Sequence, residues 1–375
     1  MTIESNNGAV AGLYIHVPFC RSKCSYCGFA SEVGLSGVPS YLAAFAHEAR
    51  TYRDQFRFFD TLYLGGGTPS VLSTDELNLL ITTAHREFQI APDAEITVEV
   101  NPGDVEEDWL LAARSIGVNR ISVGVQSFEQ RELSLLGRRH DTAQAEAAIK
   151  KIRAVGFDNL GVDLIFGLPG QEISDLERSI HRALEYGPEH LSCYQLTVEP
   201  GTVLSRRVAA GDLRMPDEEQ QAEMFLWLDQ VLTKAGYLHY EVSNYAKDKR
   251  YRSGHNCKYW NHTPYLGLGP AAHSLLGIKR WWNNGTVARY CKALAQDRLP
   301  LAGNEILTPE QQRLEALMLG LRTCDGVALT LLAQSEARET LEKLEQKGWL
   351  LRTEDRAIPT AIGLLHADGM ARLLA

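Results

Sequence analysis

The sequence predicts an α/β fold, a partial (β/α)6 barrel followed by a small C-terminal α+β domain, and three observations carry that prediction. Short apolar runs alternate with helix-length amphipathic segments six times before Thr197. Within those runs, apolar side chains recur at every second position, the period of a strand. After about residue 306 the pattern changes to a capped helix, a second helix and a short return strand. Strands separated by helices pair in parallel through right-handed crossovers. Six units fall short of the eight that close a barrel, so an open, partial barrel is expected.

The first strand is short and apolar around Tyr14, Ile15, His16 and Val17, and Pro18 leads from it into a loop that holds Cys20, Cys24 and Cys27. Val38 to Phe56 then carries Tyr41, Leu42, Phe45, Ala49 and Tyr52 at near-helical spacing. Thr61 to Leu64 reads as the second strand and runs into Gly65-Gly66-Gly67-Thr68-Pro69. Three glycines there permit backbone angles barred to other residues and let the main chain approach a ligand closely. Ser73 with Glu76 forms a capping-box pattern ahead of a helix striped by Leu77, Leu80, Ile81, Ala84 and Phe88. Glu95 to Val100, Arg120 to Gln126, Leu160 to Phe166 and His190 to Thr197 complete the six strands, with Val105 to Ser115 and Thr142 to Val155 among the helices between them.

Alternation says which side chains face inward. Ile96, Val98 and Val100 share one face and leave Thr97, Glu99 and Asn101 on the other; Ile121, Val123 and Val125 leave Gln126 opposite; Val162 and Leu164 leave Asp163 opposite. Helices cover the apolar face, so Glu99, Gln126 and Asp163 should project into the lumen near the carboxyl ends of their strands, where parallel sheets bind ligands. Buried carboxylates need partners, and Arg138 in Gly137-Arg138-Arg139-His140 is a candidate cation.

Beyond Thr197, Pro216 to Leu232 reads as a helix and Tyr237 to Ala246 as a strand. Next comes a loop-rich stretch with His255-Asn256-Cys257-Lys258-Tyr259-Trp260 and the glycine-rich run from Gly267 to His273. Thr308, Pro309 and Gln311 cap a helix bearing Leu314, Leu317, Met318 and Leu321. With a helix at Leu341 to Trp349 and a strand near Ala357, the end of the chain has a winged-helix-like pattern, but Glu336, Glu339, Glu342 and Glu345 make a DNA-reading helix a poor fit. The expected division is 1–235 for the barrel, 236–305 for a connecting segment and 306–375 for the terminal domain, read as a lid or protein contact.

The chain has 375 residues and a net charge of −9, with no basic run interleaved with aromatics, which argues against nucleic acid as a partner. The opening residues lack a signal peptide's charged and apolar regions, and no apolar run approaches a membrane span, so a soluble cytoplasmic protein is expected. Cys193, Cys257, Cys291 and Cys324 are far apart in sequence and read as small buried hydrophobes.

Three thiolates this close can wrap an inorganic centre, and soft sulfur ligands select zinc, Cu(I) or iron–sulfur. A closed structural zinc site takes four ligands; here no fourth cysteine is near, which favours a cubane with one open iron over zinc borrowing His16. CxxxCxxC with an aromatic before the last cysteine, just after a Tyr-x-His-x-Pro strand, resembles the radical S-adenosylmethionine (radical SAM) superfamily. The resemblance implies a [4Fe-4S] cluster on Cys20, Cys24 and Cys27, an electron donor for it, and SAM chelated at the open iron and cleaved to a 5′-deoxyadenosyl radical. It also implies SAM contacts at Tyr14, Gly66, Gly67, Thr68, Glu99, Gln126, Arg138 and Asp163, with Tyr26 near the adenine.

The ordered set GGGTPS, EVNP, VGVQSF and DLIFGLP resembles the branch that includes oxygen-independent coproporphyrinogen III dehydrogenase. That enzyme has a longer N-terminal segment and a further cysteine where this chain has Phe29. With His-Asn-x-x-Tyr-Trp at His255 to Trp260, these differences resemble the haem chaperone family HemW. The resemblance implies haem binding, with His255 as the candidate axial ligand, and delivery to haem-dependent respiratory proteins. The chaperone role is favoured over the alternative, oxidative decarboxylation of coproporphyrinogen III.

Overall fold

In the computed structural model, which describes residues 10–332 and 335–375, one sheet of twelve strands runs through most of the molecule. Its centre is six consecutive parallel strands: β1 (Ala11–Val17), β2 (Phe58–Gly66), β3 (Gln89–Val100), β4 (Arg120–Gln126), β5 (Leu160–Phe166) and β6 (His190–Gln195). Helices Val38–Tyr52, Thr74–Glu87, Glu107–Ser115, Thr142–Ala154 and Ile173–Glu185 form the crossovers. The alternation places the side chains as the strand period requires: Ile121, Val123 and Val125 are fully buried beneath the helices, as are Val98, Val162, Leu62 and Leu64. Each such side chain contributes roughly 1.5–3 kcal/mol by leaving water. The Ser73–Glu76 capping box forms, with Ser73 Oγ accepting from Glu76 N and the Glu76 carboxylate accepting from Ser73 N.

The stretch expected to connect two domains instead extends this sheet at both edges. Strands β7 (Leu238–Glu241) and β8 (Asn244–Ala246) form an antiparallel pair beside β6. They replace the single strand expected over Tyr237 to Ala246, because the Glu241 carboxylate accepts from Ser243 N and Asn244 Nδ2 and turns the chain. At the other edge β9 (Tyr265–Leu268) lies parallel to β1, with Tyr14 opposite Gly267 and Ile15 opposite Leu268. Strands β10 (His273–Leu276), β11 (Lys279–Asn283) and β12 (Leu301–Ile306) follow antiparallel. The full order is β12-β11-β10-β9-β1-β2-β3-β4-β5-β6-β8-β7.

The C-terminal part has its own core, including Leu317, Leu321, Leu341, Leu344, Leu350 and Met370. Helices Pro309–Gly320, Ser335–Gln346 and Ala367–Leu374 surround a three-stranded antiparallel sheet of Val327–Ala328, Arg356–Pro359 and Leu350–Arg352. The second helix stops at Gln346, short of the expected Trp349, because Gly348 takes a left-handed turn at φ +70. Among the described residues, no helix is long and apolar enough to cross a membrane.

Candidate functional site

The cysteine loop is held in place from several sides. Phe19–Cys20 pairs in parallel with Glu32–Val33 and closes the loop on itself. Ser25 ties its middle to the end of helix Gln130–Leu136: Ser25 N donates to Leu136 O at 3.0 Å and Ser25 Oγ to Leu135 O at 2.9 Å. These carbonyls lie at a helix C-terminus, where backbone acceptors are otherwise unpaired. Gly137, at φ +69, ends that helix, and Arg138 N reaches back to Leu133 O at 2.9 Å, the six-to-one bond of a Schellman turn.

That turn aims Arg138 inward. Its Nη2 donates to Gly124 O at 2.6 Å and its Nη1 to Cys24 Sγ at 3.4 Å. Burial opposes the guanidinium's charge, but Tyr26 and Cys24 beside it outweigh burial and raise its pKa. Thr68 Oγ1 donates to Cys20 Sγ at 3.3 Å, and burial pushes the Cys27 thiol up.

The glycine run is required by packing against the protein itself. Gly66 has φ +100, and a Cβ there would lie 2.3 Å from the His16 ring; at Gly67 it would lie 2.6 Å from Val17 O. At Gly65 it would meet the Glu99 carboxylate at 2.8 Å. The close approach expected toward a ligand is therefore, as folded, an approach to the end of β1 and to Glu99. It brings Gly66 N to Glu99 Oε2 (3.2 Å) and Gly67 N to Val17 O (2.8 Å).

Cys20, Cys24, Cys27, Tyr26, Gly66, Gly67, Thr68, Glu99, Gln126, Arg138 and Asp163 all line one cavity of about 540 Å³ at the carboxyl ends of the strands. Glu99 accepts from Tyr63 Oη at 2.8 Å, and burial lifts its carboxyl to about 7 despite that bond. Asp163 is also raised by burial, against hydrogen bonds from Ser192 and Ser122 and the charge of Arg120. Gln126 closes β4 at a register shift with a left-handed backbone, φ +72. Strain of this kind in a residue other than glycine concentrates at functional sites.

Sequence reasoning missed Arg120, which is 1% exposed, lines the cavity and leaves Nε and Nη1 without an acceptor among the described residues. It also missed Tyr63, Ser122, Ser192 and Tyr194, which line the same cavity. The signal was present: Arg120 and Ser122 alternate with Ile121 and Val123 just as Asp163 alternates with Val162 and Leu164.

Tyr14 and His255 lie elsewhere. Tyr14 lines a second cavity of about 400 Å³ that shares Gly28, Phe29, Gly66 and Glu99 with the first. The stretch around His255, expected to be loop, is the helix Gly254–Trp260. Ser253 caps it, and the Glu95 carboxylate accepts from Gly254 N and His255 N. The His255 ring is 1% exposed, with Nδ1 bonded to Thr61 Oγ1 at 2.9 Å and Nε2 to Tyr259 Oη at 2.8 Å. Burial, helped by Lys258 and Arg120, lowers its pKa to about 3. This imidazole is neutral, enclosed and fully partnered, whereas an axial ligand must offer a free nitrogen.

Residues 14–183 match the radical SAM superfamily and residues 307–366 the HemN C-terminal domain. Over 373 residues the chain is 36% identical to a haem chaperone HemW of Mycobacterium tuberculosis, spanning 98% of this chain and 95% of that protein. The haem chaperone HemW of Bacillus subtilis is 36% identical, over 94% and 96% of the two chains. This chain belongs to the HemW family of radical SAM proteins. The Escherichia coli HemW is 40% identical over 70% of this chain and 69% of its own length. The E. coli coproporphyrinogen III oxidase HemN, a radical SAM enzyme, superposes with a TM-score of 0.84 over 98% of this chain and 90% of its own, at 24% identity, a likeness of fold.

Radical SAM proteins take a [4Fe-4S] cluster and SAM, and the cavity of this HemW family member fits both. Three thiols line it with the Arg138 guanidinium against Cys24, the Arg138 Nε has no acceptor among the described residues, and two half-buried carboxylates face the same space. Among the described residues, no three Cys, His, Asp or Glu side chains converge on a single-ion site.

Proposed function

We propose that this protein is a haem chaperone on a radical SAM scaffold, binding haem and passing it to haem-dependent acceptors, respiratory proteins among them, in the cytoplasm. The observation that carries this reading is the 36% identity to haem chaperones across 98% of the chain. Cys20, Cys24 and Cys27 would hold the cluster, which an external electron donor would reduce. Glu99, Asp163, Gln126 and Arg138 would meet SAM's polar groups, with Gly66, Gly67 and Thr68 beside them, Tyr26 near the adenine and Tyr14 across the shared wall, in the second cavity. When bound, the two groups supply one-electron cleavage of SAM. The chain's own part is to place a cation beside Cys24 and to offer carboxylates whose charge a ligand's donors would stabilise.

The test is an anaerobic haemin titration of cluster-reconstituted protein, followed by Soret absorbance. Saturation near one equivalent is expected; the absence of saturable binding would overturn the reading. The fold shared with HemN supports a second reading, decarboxylation of coproporphyrinogen III. Phe29 stands where that enzyme's further cysteine is expected. Protoporphyrinogen IX formed under anaerobic turnover with SAM would bring that reading to first place.

A further inference from the structure

We infer that haem sits in the second cavity and that His273 supplies its axial ligand, with His255 acting as a positioning residue for the aromatic wall. This rests on the haem chaperone reading above. The cavity, about 400 Å³, lies within the range of small-molecule sites, roughly 300–1,000 Å³. Tyr14, Phe29, Tyr259 and Tyr265 supply aromatic surface along it, suited to a flat macrocycle.

Three histidine rings bear on this region, and they differ in what their nitrogens are doing. His16, which lines the cavity, donates from Nε2 to Ala30 O at 2.7 Å and accepts at Nδ1 from Tyr14 Oη at 3.1 Å. His255, behind the wall, is bonded at both nitrogens. His273 lines the cavity and is exposed; its ring stacks on Trp282 at 5.8 Å and 20°, and no group among the described residues hydrogen-bonds either ring nitrogen.

The loop that presents His273 is built with care. Glu48, wholly buried, accepts from Gly269 N at 2.9 Å, Asn283 Nδ2 at 2.6 Å and Tyr290 Oη at 2.6 Å. Asn283 Nδ2 also donates to Gly269 O, and Asn283 N donates to Ala272 O. Between these anchors Ala271 is held at φ +58, a strained angle for a residue with a Cβ. The His-Asn-x-x-Tyr-Trp motif then has a physical role: His255 Nε2 fixes the Tyr259 hydroxyl, and the Tyr259 ring meets Tyr265 edge-on at 4.7 Å. Ligation is a dative bond from an imidazole nitrogen that displaces water from the iron, with no change of oxidation state.

The test uses the full chain, cluster-reconstituted and anaerobic, titrated with haemin as native protein, His273→Ala, His273→Met and His255→Ala, each checked for native circular dichroism and iron content. The native spectrum should show a nitrogen axial ligand. His273→Ala should shift the Soret band and weaken binding by about tenfold or more, the scale on which even the partners that orient a metal ligand act, and added imidazole should restore the band. His273→Met should show a thioether-ligand signature, which decides the case if the alanine variant folds poorly. His255→Ala should bind more weakly yet keep the nitrogen-ligand spectrum. An unchanged spectrum and affinity in the His273 variants, or loss of the axial signature in His255→Ala alone, overturns the assignment and leaves the chaperone reading standing. Failure of the native chain to bind haemin sinks both.

Discussion

The two cavities meet at Gly66 and Glu99, yet they are made of different materials in different ways. The first is faced with charge: Glu99, Arg120 and Asp163 on three consecutive strands, and Arg138 just beyond helix Gln130–Leu136. The second is faced with rings, and its walls come from the chain around residues 14–30 and again around 259–273. It exists because β9 pairs with β1 across some 250 residues of sequence, bringing Tyr14 beside Gly267. A charged lumen and an aromatic slot can therefore change independently, except where they share a wall.

The largest expected effect tests that independence. Cys24→Ala should abolish iron binding, measured by iron content and cluster absorbance, while haemin binding persists; full iron content in the variant would refute the ligand assignment. Glu48→Ala probes the opposite case. It strips three buried donors of their acceptor, so the denaturation midpoint should fall by the equivalent of roughly 4 kcal/mol. Haemin binding should weaken while iron loading survives in the folded fraction.

Glu99 tests the shared wall. Its carboxyl is raised from 4.5 to about 7 in the fold, so between those values the native state keeps a proton that the unfolded chain has lost. Stability of the cluster-free protein should therefore fall as pH rises from 4.5 to 7 and stay reduced above it. Solvent reaching this partly covered group trims its share to roughly 2 kcal/mol. Glu99→Gln should remove that share of the slope in urea titrations across this range; an unchanged slope would refute the raised value. Phe29→Ala should do least to stability, within about 0.5 kcal/mol, because the ring is 69% exposed. Its effect should be confined to haemin affinity.

How much of this was legible depends on whether the contacts are local. Strands β4 and β5 run over the residues expected, because Ile121, Val123 and Val125 and then Val162 and Leu164 state the period plainly. The same period puts Arg120 and Ser122 on the lumen face, but in the amino-terminal half of the strand, away from the carboxyl ends where parallel sheets are expected to bind ligands. Helix Gln130–Leu136 is only seven residues long and shows too little periodicity to be read, so the way Gly137 steers Arg138 was hidden. The helix at His255 carried one signal, Ser253 as its cap, while Gly254 and Asn256 argued for loop. The second cavity had no local signal, since its walls are joined only by the sheet.

Arg120 sets a condition on whatever enters the first cavity. Its Nε and Nη1 have no acceptor among the described residues, in a surrounding where an unmade hydrogen bond costs roughly 1–3 kcal/mol. A guest that brings oxygen atoms to this floor gains what the fold has withheld, and one that brings only carbon does not. The buried guanidinium thus acts as a filter by composition, favouring hydroxyl- and carboxylate-bearing molecules over hydrocarbon of the same shape.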